Sequence, residues 1–219
     1  MAVLLEHELT DLKKKILELG AAVEGRVKQA VQALVTGDCQ LAERVKTGDS
    51  EIDNLEIELE EECLKILALH QPVASDLRFI VSILKINNDL ERVADFAVNL
   101  AERTFDLDKE MPIECPYDIA RMGELVERML KMALDSLVEQ DTVLARETVE
   151  MDNEVDTMHR ENFAKIKEAI RSDLKRLDGL VYYLSISRYL ERMGDLATNV
   201  AEDVVYQVDG EIIRHGGIQ

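Results

Sequence analysis

The chain has 219 residues and a formal net charge of −19, from 45 acidic against 26 basic side chains. That balance argues against a nucleic-acid binder and against adsorption to anionic lipid, both of which rely on clustered Lys and Arg. Aromatics at 4%, three prolines and no tryptophan argue against a strand-rich fold.

The predicted elements are helical throughout. A first periodic segment runs from near Leu4 to the Gly37-Asp38 break, a second from about Asp38 to Leu69, and a third from about Ala74 to Asp106. Pro72, in HQPVASDLR, separates the second from the third. DLDKEMPIECPYD, holding Pro112 and Pro116, is the linker, and the helical pattern resumes at roughly 117–139, 141–172 and 175–209. The gaps are short, which implies antiparallel neighbours. No uncharged run is long enough to span a membrane, since FIVSIL stops at Lys85. The start, MAVLLEHELTDLKKK, lacks the features of a signal peptide. Cys39, Cys63 and Cys115 are widely spaced with no CxxC, as in reduced thiols of a cytoplasmic protein.

The two halves align. VTGDCQLAERVKTGDSEID (35–53) matches VEQDTVLARETVEMDNEVD (138–156) at an offset of 103, and ERVADFAVNLAER (91–103) matches ERMGDLATNVAED (191–203) at an offset of 100. The expected fold is therefore all-α: two tandem three-helix bundles of six long helices, divided as residues 1–109 and 110–219.

Acids recur at corresponding places in the repeat. With Glu91 at 0° on a helical wheel, Glu102 falls at about 20°, Asp95 at about 40° and Asn99 at about 80°. On the preceding segment Asp49 and Asp53 share an arc that borders the apolar stripe of Ile52, Leu55, Leu59 and Ile66. Like charges at i,i+4 destabilise a helix by roughly 0.2–0.5 kcal/mol per pair, and burial raises the cost. A multivalent cation removes it. A lone ExxxD means little in so acidic a chain, and solvated, salt-bridged helices would write the same pairs. Four pairs at matching positions, Asp49/Asp53, Glu91/Asp95, Asp152/Asp156 and Glu191/Asp195, favour oxygen-rich metal sites, open to iron, magnesium, manganese, calcium or zinc. Glu56 corresponds to His159, so that position is not a shared ligand. His159 reads as a solvated or hydrogen-bonded histidine ahead of an extra ligand, and Arg92 and Arg192 as residues orienting carboxylates or pairing with a neighbouring helix ahead of binding an anion. Glu102 and Glu202 share the arc without an assigned role.

Several chemistries lack support. The Glu-x-x-His motif of di-iron bundles is absent, since Ala94 and Gly194 stand three residues after Glu91 and Glu191. There is no GxSxG, P-loop or GxGxxG. A binding or regulatory role thus ranks above an enzyme. A structural helical module without metal is the alternative, and a metal-dependent oxidoreductase comes last.

HQPVASDLR followed by NDLERVADFAVNLAE, and YLERMGDLATNVAED in the second half, resemble the PhoU family over nearly the whole chain. The resemblance implies paired three-helix bundles, homodimers, and a cytoplasmic regulator of phosphate uptake that represses the phosphate-starvation response. Its implied partners are the phosphate transporter's ATPase subunit and the sensor histidine kinase. It also implies multinuclear iron or zinc clusters held by E(D)xxxD motifs. On matching positions, Asp49, Asp53, Glu91 and Asp95 would form one site, and Asp152, Asp156, Glu191 and Asp195 the other, with Asn99 and Asn199 assisting. Two departures stand out. RSDLKRLDGL replaces the proline turn in the second half, and His70 precedes Gln-Pro where the family pattern leads one to expect arginine.

Overall fold

The structure, a computed structural model, describes residues 2–110 and 113–213, apart from the side chains of Ala2, Val3 and Asp49. Its elements are α1 (Ala2–Thr36), α2 (Cys39–Thr47), α3 (Asp49–His70), α4 (Ala74–Lys109), α5 (Ile119–Glu139), α6 (Thr142–Ser172) and α7 (Leu177–Asp209). A 3-10 turn, Leu174–Arg176, precedes α7. Aspartates start several helices by accepting otherwise orphaned backbone N–H groups. Asp38 accepts from Leu41 N at 2.9 Å, Asp118 from Arg121 N at 2.9 Å, and Asp141 from Val143 N and Leu144 N. Gly37 ends α1 with φ +67°, a left-handed conformation that costs glycine little.

Apolar residues at three- and four-residue spacing line the inner faces. Leu12, Ile16, Leu19, Val23 and Val27 of α1 are fully buried, as are Ile83, Ile86, Leu90, Ala97 and Leu100 of α4. The first bundle packs α1, α3 and α4, with the short α2 against α1 and α4, and the second packs α5, α6 and α7. The bundles join along α4–α7 and α1–α5. The all-α expectation of two three-helix units holds.

The second expected segment differs, being broken at Gly48 into α2 and α3. Arg26 of α1, itself buried, donates from Nη1 to Val45 O at 2.8 Å and from Nη2 to Gly48 O at 2.7 Å, satisfying carbonyls at the end of α2. The corresponding residue of α5 is Met129, which has no such donors, and α6 runs unbroken.

The corners differ as the sequences do. In the first half Pro72 is buried after Gln71 at φ 47°, and His70 Nε2 lies 2.6 Å from Glu8 Oε2, tying the corner to α1. In the second, Asp173 accepts from Lys175 N at 3.0 Å and starts the 3-10 turn. Of the linker, Pro112 lies outside the described residues. Its part from Ile113 to Tyr117 is fastened to α7, since Tyr117 Oη donates to Tyr183 O at 2.6 Å and Tyr183 Oη donates to Ile113 O at 3.0 Å.

Candidate metal centre

In the second bundle the acids of α6 and α7 meet across the helix seam. Carboxylate oxygens of Asp152, Asp156 and Asp195 lie within 4.8 Å of one another. Helices α6 and α7 run antiparallel, so the seam forms successive rungs. Asp152 faces Asp195, Asp156 faces Glu191, and His159 faces Ser187. Spacing of three and four residues keeps each series on one face of its helix.

Gly194 lets this approach happen. A Cβ there would stand 3.2 Å from Asp152 Oδ1 and 3.4 Å from a Val155 methyl, so glycine leaves room for the carboxylate to press against α7. Asp152 Oδ1 is buried and has no hydrogen-bond partner among the described residues. Burial, then the neighbouring charges of Asp195, Asp156, Glu191 and Glu202, push the Asp152 carboxyl up to about 7. Glu191 and Asp195 are also raised, burial being the first cause for each. Arg192 offsets part of this repulsion, reaching Asp195 at 3.2 Å and Glu191 at 3.7 Å. Both contacts are to carboxylates of its own helix, and Arg92 likewise reaches Asp89 at 3.6 Å.

The first bundle carries the corresponding residues in a more open setting. Asp53 and Asp95 are exposed and Glu91 half-buried. Burial, then the charge of Asp53, raises the Asp95 carboxyl, so these two face one another across α3 and α4. Asp49 begins α3, but its side chain lies outside the described residues.

The asparagines sit differently from the acids. Asn99 is half-buried. Asn199 has rotated off the α6–α7 seam and lines a cleft of about 710 Å³ between α4 and α7, shared with Lys85, Arg92, Arg192, Asp195 and Glu202. Glu202 thus borders both the cleft and, through its charge, Asp152.

Sequence reasoning missed the partners of His159. Its Nδ1 lies 2.9 Å from Ser187 Oγ, and Asn162 Nδ2 donates to the same oxygen at 3.1 Å. Ser187 and Asn162 are both buried. In the first bundle, Asn87 Nδ2 donates to Glu56 Oε1 at 3.0 Å on the equivalent rung. Asn87 and Ser187 correspond at the repeat offset of 100, and both are polar on an otherwise apolar face, which was the available signal.

The chain is similar to known proteins over nearly its whole length. The PhoU domain family matches twice, over residues 16–104 and 119–204. A phosphate-specific transport system accessory protein PhoU homolog of Aquifex aeolicus is 35% identical over 212 residues, covering 97% of this chain and 96% of that protein. The crystal structure of PhoU from Pseudomonas aeruginosa superposes with a TM-score of 0.90 at 36% identity, covering 94% of this chain and 99% of that one. That of the phosphate transport system regulatory protein PhoU from Streptococcus pneumoniae gives 0.85 at 30% identity, covering 95% and 98%.

Proposed function

The chain belongs to the PhoU family, and from that premise we propose that it regulates phosphate uptake and represses phosphate-starvation signalling as a metal-binding adaptor. In this reading it works in the cytoplasm as a homodimer. It docks on the ATPase subunit of the phosphate transporter and on the sensor histidine kinase, and it binds rather than catalyses. The names of its relatives, accessory and regulatory proteins of phosphate transport, support the transport role. Among the described residues, no helix is long and apolar enough to cross a membrane.

One observation carries the metal: the buried, unpartnered Asp152 Oδ1 among neighbouring carboxylates. Such an oxygen is costly when bare, and a cation supplies the missing partner. Asp152, Asp156 and Asp195 would hold an ion, with Glu191 on the next rung and Asn199 as an amide oxygen at the edge. Asp53, Glu91 and Asp95, with Asp49 and Asn99, would form the first-bundle counterpart. Iron or zinc comes first, with magnesium, manganese or calcium as alternatives. The bound cation would neutralise the seam and cross-link two helices of each bundle. The competing reading, a metal-free interaction module, draws its support from Arg192, which already neutralises part of the second seam.

Elemental analysis of the purified protein separates the two. Metal that disappears in a quadruple alanine variant at Asp152, Asp156, Glu191 and Asp195, together with a chelator-induced fall in melting temperature, is the expected outcome. Metal-free protein whose melting ignores chelator would end the metal reading. Co-purification from phosphate-replete cells tests docking, and repeated absence of the transporter ATPase would count against the adaptor.

A further inference from the structure

The rung beyond the second acidic triad is built, although the metal reading leaves it unused. His159 follows Asp152 and Asp156 by seven and three residues, so it shares their face of α6. Its ring sits on the α7 side of the seam, one turn from Glu191, because Nδ1 is held 2.9 Å from Ser187 Oγ. That oxygen is fixed in turn, being fully buried and taking a hydrogen bond from the buried amide of Asn162. Nε2 has no hydrogen bond or ion pair among the described residues. The ring acts on the Glu191 and Asp195 carboxyls, while its nitrogens lie outside the group formed within 4.8 Å by Asp152, Asp156 and Asp195, so Nε2 would serve an ion held on the Glu191 rung beside that triad.

We infer that His159 is an additional metal ligand through Nε2, so that the second-bundle site offers nitrogen and oxygen while the first-bundle site, with Glu56 in this place, offers oxygen alone. The inference rests on the metal-binding reading of the seam. Binding at Nε2 requires the ring proton on Nδ1, and Ser187 accommodates it. Its Oγ has lone pairs for both Nδ1–H and the Asn162 amide, while its hydroxyl proton turns to Met122 Sδ at 3.8 Å. Without metal the same hydroxyl can donate to Nδ1, so neither state strands a polar group. A ligand imidazole held by a hydrogen bond at its other nitrogen is the usual arrangement in protein metal sites.

The first bundle repeats the plan with different chemistry. Asn87 stands at the position of Ser187, is buried, and donates to both the backbone oxygen and Oε1 of Glu56, each at 3.0 Å. Each rung therefore pairs a side chain able to bind a cation on α3 or α6 with a buried orienting group on α4 or α7. Imidazole suits zinc and iron, whereas an all-carboxylate set suits magnesium, calcium and manganese. The two bundles would therefore select different ions from one pool.

The test titrates chelator-stripped full-length protein with Zn²⁺ by calorimetry, comparing wild type with His159→Gln. Substoichiometric Cu²⁺, which imidazole also suits, serves in parallel as a pulsed-EPR probe, and Mn²⁺ is titrated as the ion preferring carboxylates. The expected result is a class of Zn²⁺ sites weakened at least about 10-fold in His159→Gln, with ¹⁴N modulation present in wild type and lost in the variant. Ser187→Ala, which frees the ring, is expected to weaken the same class by about 10-fold. His159→Glu copies the first bundle's chemistry and provides a second variant. It is expected to weaken Zn²⁺ while retaining Mn²⁺. Melting temperatures in chelator confirm that each variant is folded. Equal Zn²⁺ affinity in wild type and His159→Gln, with no ¹⁴N modulation, would overturn the inference and leave the carboxylate sites standing. Failure of wild type to bind any of these ions would remove the metal reading, and this inference with it.

Discussion

Asp152 is where the energetic conflict of the bare seam concentrates. Its carboxyl is raised from an ordinary 3.8 to about 7, first by burial and then by four acidic neighbours. The folded chain holds that proton more tightly than the unfolded chain. Metal-free protein therefore gains stability as pH falls from above 7 towards 4, and loses it again as pH rises through that window. Asp152→Asn removes the charge while keeping the shape. In chelator at pH 8 it should melt above wild type, by about 2–4 °C for each kcal/mol relieved in a chain of this size. It should also show a flatter dependence of melting temperature on pH between 5 and 8. With metal present the order reverses, because asparagine lacks the anionic oxygen that would hold the cation. An Asp152→Asn protein that melts below wild type in chelator would show that the carboxylate is not under strain. Of the acids named from sequence, Asp152, Asp156 and Asp195 converge on one point. Nothing in the spacing distinguished this set from its first-bundle counterpart, because the depth that Gly194 permits, where the first half has Ala94, becomes visible only once α6 lies against α7.

At the scale of elements, helix periodicity and breakers were legible and the Gly48 interruption was not. Gly48 sits within a continuous helical pattern, and what ends α2 there is the guanidinium of Arg26, 22 residues earlier in the chain. Arg26→Met copies the second bundle's residue, Met129. It strips the donors from the Val45 and Gly48 carbonyls and should cost about 1–3 kcal/mol, read by thermal or urea melts. Glycines in the long helices separate in the same way. Gly25 is exposed, and a methyl group added there would meet nothing within 4 Å, so Gly25→Ala should stabilise by about 0.5–1 kcal/mol. Gly123→Ala gains the same helix propensity, but its Cβ would come within 2.5 Å of the buried Val31. Overpacking of that kind costs about 1–3 kcal/mol, so a net loss is expected. Equal melting of the two variants would contradict the packing account.

The whole molecule is organised by a pseudo-twofold relation between the bundles. Gly20 of α1 receives Leu134 of α5, and Gly123 of α5 receives Val31 of α1; these are the same two positions of the repeat, exchanged. Such reciprocity is the mark of an isologous interface. Along α4 and α7 the relation is looser. Phe96 meets Tyr189 at 5.9 Å, but Lys85 pairs with buried Asp203 at 3.1 Å where the other end has Arg103 over Tyr182. Lys85→Met should therefore weaken the joint between bundles, by about 1.5–3 kcal/mol for a hydrogen bond to a charged group. Measured by urea melts, loss of a single cooperative transition would locate that weakening at the interface, and unchanged melting would show that Asp203 is satisfied without it.

Repetition, periodicity and charge are properties of the chain itself. They sufficed for an all-helical duplicated fold, for the four acid pairs and for the family, because helix faces are set by neighbours within four residues. Contacts between helices decided the rest: the depth of Asp152 against Gly194, the Ser187 and Asn162 support beneath His159, the rotation of Asn199 into the cleft, and the Arg26 break. Each joins residues at least 22 positions apart or depends on how far two helices approach, and local spacing carries no measure of that distance.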